Sequence, residues 1–185
     1  PFNQPDWMIS AAYFCNTLAK VTNSRLCSFH RPTIFGYTKF FFSPNFLIRF
    51  SFNVRSFIFI RLRSSQRMRL NKLIDEFKLS VNTKSGLLSY CLDGINIGED
   101  IYESYLKLGN PTIFFSDRRF WRIVIEAFTH YLFWFDYFRE NNVKAVVISH
   151  DCYILSNMPA RIAYRYLVPV YLPSPRSLAR SDFSH

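Results

Sequence analysis

The run Lys-Ala-Val-Val-Ile-Ser at Lys144–Ser149 sets the strongest limit on the fold. It lacks the polar–apolar alternation of a strand with one wet face. Such a run suits a strand covered on both faces, which belongs to a parallel sheet flanked by helices. A loop, His150–Asn157, follows. Pro159–Tyr166 then predicts a short helix with Pro159 in its first turn and Ser156 or Asn157 as cap. Val168–Leu172 predicts the next strand. Strand–helix–strand implies parallel pairing through a right-handed crossover. The expected fold class is therefore α/β: a Rossmann-like parallel sheet with flanking helices. At 185 residues the chain is expected to form a single domain over 1–185.

The other elements are placed by periodicity and punctuation. Asp6 is expected to cap a helix running to about Lys20, whose apolar face is Trp7, Ala11, Phe14 and Leu18. Arg25–Phe29 reads as a short strand. Residues 30–45, with Pro32, Gly36 and Pro44, read as loop, and 46–63 stay open between strand and helix. A helix is expected over Ser65–Phe77, with Leu70, Leu73, Ile74 and Phe77 as its stripe. Lys84–Leu88 reads as a turn into Ser89–Leu92, and Asp93-Gly94 as a tight turn. Glu99–Leu108 predicts a helix stopped at Gly109. Asp117 is expected to cap the longest helix, to about Asn142. Its stripe of Phe120, Val124, Ala127, Tyr131, Phe135 and Phe138 is wide enough to cover a sheet.

The net charge of +10 is concentrated. Residues 25–84 carry twelve Lys/Arg against Asp75 and Glu76, and the remaining residues balance. This asymmetry predicts an anionic partner: lipid headgroups, phosphates or nucleic acid. A solvated basic face is the plainer reading. Residues 30–84 are read as a basic, membrane-facing insertion within the domain. No stretch reads as a membrane span. Residues 120–138 contain Arg122, Glu126 and Asp136, and residues 46–60 contain Arg49 and Arg55. This predicts a soluble or surface-attached protein. The four cysteines lack C-x-x-C spacing and fit a reducing compartment. The chain opens on Pro1 with no signal-peptide pattern and reads as part of a longer protein.

Ligands of open parallel sheets bind beyond the carboxyl ends of the strands. That singles out Ser149, His150, Asp151, Cys152 and Tyr153. His150 is the group here that titrates near neutral pH, so it is the candidate general base. Asp6 is the rival base, since its strand-to-helix loop can open on the same edge. Arg161, one turn into the following helix, can add a charge-assisted contact. The plainer reading is that His150 and Tyr153 cap and pack the loop. A second cluster, Gly94 to Leu106, joins a loop to a helix. Gly98, Tyr102 and Glu103 are its candidate binding residues, with core packing the alternative for the tyrosine. There is no dinucleotide fingerprint, Walker loop, nucleophile elbow or metal-ligand spacing. No metal and no cofactor are expected.

Two segments carry a resemblance. One is Asp93-Gly94-Ile95-Asn96-Ile97-Gly98 through Tyr102-Glu103-Ser104-Tyr105-Leu106, then Pro111-Thr112-Ile113. The other is Val146-Val147-Ile148-Ser149-His150 with Tyr153, Pro159-Ala160-Arg161-Ile162-Ala163 and Val168-Pro169-Val170-Tyr171. Together, over about residues 86–172, they resemble bacterial capsular and surface polysaccharide biosynthesis proteins. Glu103 and Lys107 depart from the family's Asp and Arg. The resemblance implies the N-terminal, acceptor-side domain of a two-Rossmann-domain glycosyltransferase. It would transfer a sugar from a nucleotide-sugar to a glycan or lipid-linked acceptor. The nucleotide-sugar would enter as substrate, mainly through a second domain, so this domain alone would be inactive. The expected location is the cytoplasm, peripheral on the inner face of the cell membrane. A basic nucleic-acid-binding module, which the aromatic pattern disfavours, and an inactive structural fragment are the alternatives.

Overall fold

The computed structural model describes residues 5–30, 52–173 and 178–180. The chain runs α1 (Pro5–Val21), β1 (Cys27–His30), β2 (Ser56–Phe59), α2 (Ser64–Ser80), α3 (Lys84–Leu88), β3 (Cys91–Leu92), β4 (Ile95–Asn96), α4 (Gly98–Leu106), α5 (Arg118–Glu140), β5 (Val146–Val147), α6 (Ile154–Arg165), β6 (Val170–Pro173) and β7 (Leu178–Arg180). It is a mixed helix–strand protein dominated by helices.

The strands form three small sheets. β1 pairs with β2 in parallel, β3 with β4 antiparallel, and β5 with β6 in parallel, with β7 antiparallel on the far edge of β6. Val146 pairs with Val170 and Val147 with Tyr171. The expected β5–α6–β6 parallel unit is thus present. A single continuous sheet is not found among the described residues. Residues 31–51, which cover most of the expected 30–45 loop and part of the 46–63 stretch, lie outside the described residues; β2 occupies the strand part of that stretch.

The core is built around α5. Asp117 caps it as its spacing predicts, accepting from the Arg119 amide at 2.8 Å. The same carboxylate accepts from the Tyr105 hydroxyl at 2.9 Å, which ties α4 to α5. α5 packs chiefly against the helices α6, α2 and α4. It therefore serves as a helical core and not simply as a sheet cover, because its apolar surface extends well around the helix. Phe77 of α2 sits at the centre of an aromatic cluster, with ring centroids 4.8 Å from Tyr90 and 5.5 Å from Phe128.

A polar bracket fixes α2 on α5. Gln66 is buried, accepts from the Arg63 amide at 2.8 Å, and donates to the Leu132 carbonyl at 3.1 Å and to Asp136 at 2.8 Å. Asp136, also buried, gains Arg139 at 2.9 Å. A buried carboxylate is tolerable only with such partners. The Asp93-Gly94 turn is also as expected: both residues have positive φ, 50° and 78°, as a two-residue hairpin requires. The Asp93 carboxylate accepts from the Tyr131 hydroxyl, which anchors the β3–β4 hairpin to α5.

Three local expectations are corrected. α6 begins at Ile154, five residues before Pro159, so Ser156 and Asn157 lie inside the helix and do not cap it. Pro159 removes the amide that would bond the Leu155 carbonyl, and this break is tolerated because the proline is buried in packing. Lys84–Leu88 is a helical turn capped by Thr83, which accepts from Gly86 at 3.0 Å. Asp6 lies within α1, not ahead of it.

The core assignment predicts a sharp contrast within α2. Phe77→Ala should cost about 3–5 kcal/mol in urea unfolding, as a fully buried ring does. Leu79→Ala, at 88% exposed, should stay within about 0.5 kcal/mol of wild type. Equal losses at the two positions would contradict this core.

Candidate functional site

The carboxyl end of β5 carries the site. Backbone pairing to β6 continues one residue past the strand, with the Ile148 amide donating to the Tyr171 carbonyl at 3.0 Å. The chain then leaves the sheet, and Ser149 is exposed while His150 is half-buried. His150 is held on both ring nitrogens. The Ser149 hydroxyl lies 2.7 Å from Nδ1, and the Ser156 hydroxyl, from the first turn of α6, lies 3.2 Å from Nε2. A neutral imidazole carries one N–H, so one hydroxyl accepts and the other donates. The Tyr153 ring packs edge-on against the imidazole, with centroids 5.7 Å apart.

α4 supplies the opposite wall. Lys107 places its ammonium 3.8 Å from the centroid of the Tyr153 ring. The Ser104 hydroxyl accepts from the Ile154 amide at 3.2 Å, satisfying one donor of the α6 amino end. Tyr153 itself has φ 65° and ψ 149°, a region nearly reserved for glycine. Strain of this kind costs roughly 1–3 kcal/mol and persists only where surrounding contacts over-determine it. Here those contacts are the Lys107 ammonium, the His150 ring and the start of α6.

The electrostatics keep His150 neutral. Burial lowers its pKa below the usual imidazole value, the Lys107 charge lowers it further, and Asp151 opposes both. A neutral, half-exposed imidazole can take a proton from a third hydroxyl once that hydroxyl displaces the serine that donates to its unprotonated nitrogen. Burial raises the neighbouring Cys152 thiol, and the charges of Glu103 and Asp151 add to that, so it is a poor thiolate nucleophile.

A second cluster fastens α4 to α6. Asp100, 0% exposed, accepts from Asn157 at 2.5 Å and lies 3.4 Å from the Arg161 guanidinium, which also binds Glu99 at 2.8 Å. Burial pushes the Asp100 carboxyl up to about 6, against the lowering effect of Arg161 and Asn157.

The sequence-predicted residues therefore divide. Ser149, His150 and Tyr153 are brought together, with Asp151 exposed beside them. Arg161 is engaged by Glu99 and Asp100, which makes it part of the frame. Gly98 is buried at the α3–α4 junction, where an added Cβ would lie 1.6 Å from the Leu87 carbonyl oxygen. The close backbone approach is what requires glycine there. Tyr102 is half-buried, with the Lys84 ammonium 4.9 Å from its ring centroid, and Glu103 is exposed. The Asp6 side chain lies outside the described residues. Ser104, Lys107 and the Ser156 contact to His150 were not anticipated. Ser104 in the last turn of α4 and Lys107 at its carboxyl cap stand three apart, so their shared face was the available signal.

Among the described residues, no group of His, Cys, Asp and Glu side chains is arranged to hold a metal ion. No described helix is long and apolar enough to cross a membrane. Compared with protein-family models, curated proteins and solved structures, the chain matches none.

The α4–α6 cluster predicts a pH-dependent stability. The folded state holds the Asp100 proton more tightly than the unfolded chain. Its contribution is therefore fully present below about pH 3.8 and is lost as pH rises through about 6. Relative to Asp100→Asn, which does not titrate, wild type should lose about 2–3 kcal/mol between pH 4 and pH 7. Urea unfolding of both proteins at the two pH values measures this. A constant difference between them would refute the assignment.

Proposed function

We propose that this chain is the acceptor-side, Rossmann-like domain of a glycosyltransferase of bacterial surface or capsular polysaccharide biosynthesis. One observation carries the reading: a neutral His150, held by Ser149 and Ser156, stands half-exposed where the β5 chain leaves its parallel partner. A hydroxyl-lined imidazole suits a sugar hydroxyl as the proton donor. The sugar hydroxyl displaces the serine that donates to the unprotonated ring nitrogen, and His150 takes the proton there. The freed acceptor oxygen bonds to the anomeric carbon of a nucleotide-sugar, and the anomeric carbon–oxygen bond breaks. The nucleoside diphosphate leaves with the electron pair. Ser149, Asp151 and Tyr153, beside His150, would contact the acceptor, and the Lys107 charge would favour an anionic one. The resemblance of residues 86–172 to polysaccharide biosynthesis proteins supplies the substrate class.

The basic face supports an approach to anionic lipid on the cytoplasmic side of the membrane. Arg63 is bound bidentately by Glu140, at 2.8 and 2.7 Å, but Arg61 and Arg67 are exposed, as is Met68. Each such cation near an anionic surface contributes roughly 1 kcal/mol.

Two experiments test these statements. Given UDP- and GDP-sugars with polyprenyl-phosphate vesicles, the protein in its full-length form should release nucleoside diphosphate. His150→Ala should lower that rate at least about 100-fold with an unchanged urea midpoint. Release that does not depend on His150 removes the base, and no release from any donor removes the transferase reading. In co-sedimentation, binding to phosphatidylglycerol vesicles should weaken with salt and fall further in Arg61→Ala/Arg67→Ala. Equal binding to neutral vesicles would exclude the electrostatic contact, and a clean gel shift of RNA or DNA at near-physiological salt that falls steeply as salt rises would favour the nucleic-acid module.

A further inference from the structure

A cavity of about 720 Å³ lies between the two parallel sheets, within the range of roughly 300–1,000 Å³ that small-molecule sites occupy. Its side walls are apolar: Cys15 and Leu18 of α1, Ile58 of β2, Trp134 and Phe138 of α5, and Leu155 of α6. Burial pushes the Cys15 thiol up to about 11, so that wall carries no charge at neutral pH. Filled with water at about 30 Å³ per molecule, the space would set on the order of twenty waters against these side chains, an unfavourable filling. An apolar chain removes that cost.

The two ends of the cavity are polar and differ in charge. Along α5 from Trp134 to Tyr137, the neighbours on β1 run backwards. The Phe29 ring centroid lies 5.1 Å from that of Trp134, and Tyr137, raised chiefly by burial, is raised further by the Cys27 thiol. β1 therefore runs opposite to α5, and Arg25 lies toward the carboxyl end of that helix. The chain leaves α5 at the same end and reaches Lys144 four residues later. Arg25 and Lys144 both line the cavity, so both stand at this mouth. Both are exposed, and neither is paired with a carboxylate among the described residues. The described lining holds no Asp or Glu to balance them. The opposite end is lined by the uncharged Ser149 and Ser156.

We infer that this cavity binds an anionic amphiphile: a single hydrocarbon chain ending in a carboxylate or phosphate, its head between Arg25 and Lys144 and its chain directed toward Ser149. Charge complementarity selects the head, and the apolar walls select the chain. The stretch from Lys144 to Ser149 is about 16 Å long at 3.3 Å per residue, the length of an extended chain of roughly ten to twelve carbons. The head and His150 stand at opposite ends, so this ligand is not the hydroxyl donor of the proposed transfer. The inference does not depend on the transferase reading.

Calorimetric titration of the protein with decanoate and with decyl phosphate, below their micelle concentrations, should show saturable binding. Decanol should bind at least about tenfold more weakly, and Arg25→Ala/Lys144→Ala should weaken both anions at least about tenfold while leaving decanol unchanged. Tighter binding of the phosphate identifies a lipid phosphate, and tighter binding of the carboxylate a fatty acid; either supports the site. In proton–carbon NMR, either anion should shift the Ile58 methyls and the Trp134 ring and leave the exposed Leu79 unmoved. Decanol binding as tightly as the anions overturns the anionic head, as does full affinity in the double variant. No saturable binding, or binding that leaves Ile58 and Trp134 unmoved, overturns the cavity as the site.

Discussion

Burial of α5 is the constraint on which the other elements depend. Its side chains face α2, α4 and α6 at once, and each fully buried large apolar side chain contributes roughly 1.5–3 kcal/mol. Packing of that kind tolerates a buried carboxylate only when it is paired. Asp136 is therefore tied to Gln66 and Arg139, and the pairing sets where α2 sits along α5. Asp117 does the same at the other end, joining the cap of α5 to Tyr105 of α4.

The site inherits its geometry from this frame. α6 packs on α5 and presents Ser156 to His150, while α4 packs on α5 and presents Lys107 to Tyr153. The Asp100–Asn157 contact and the Arg161 pairs then lock α4 to α6. With both helices fixed, Tyr153 can be held at a positive φ, and that conformation turns the chain sharply between the end of β5 and α6. The same locking leaves a carboxylate at the buried interface, so precision at the site is obtained with a pH-sensitive joint nearby.

Much of this was legible in the sequence where one local rule governs. Asp117 before an apolar stripe and the Asp93-Gly94 turn each have a single physical interpretation, and the structure follows it; the Lys144–Ser149 run does give a strand paired in parallel, but only Val146 and Ile148 are buried while Ala145 and Val147 are half-buried, so it is not covered equally on both faces. Sequence reasoning failed where tertiary packing overrides the local rule. Pro159 marks a helix start by propensity, yet α6 begins at Ile154 because burial of Ile154 and Met158 favours extending the helix past the missing amide. Gly98 and Arg161 looked available for ligands, but their partners, Leu87, Glu99 and Asp100, come from segments whose approach no local pattern encodes. Lys107 was visible only as the residue ending α4 and as a departure from the Arg that the resemblance implies. Its place over Tyr153 depends on two helices meeting.

The central claim is that this frame holds His150 as a neutral base beside two serines. Proton NMR titration of the histidine C–H resonances, with His150 assigned by its loss in His150→Ala, tests it most directly. The account predicts that His150 titrates below 6.5 and that Lys107→Ala moves it upward without restoring the ordinary value fully, because burial remains the larger cause. A value at or above 6.5 in the folded wild-type protein would contradict it.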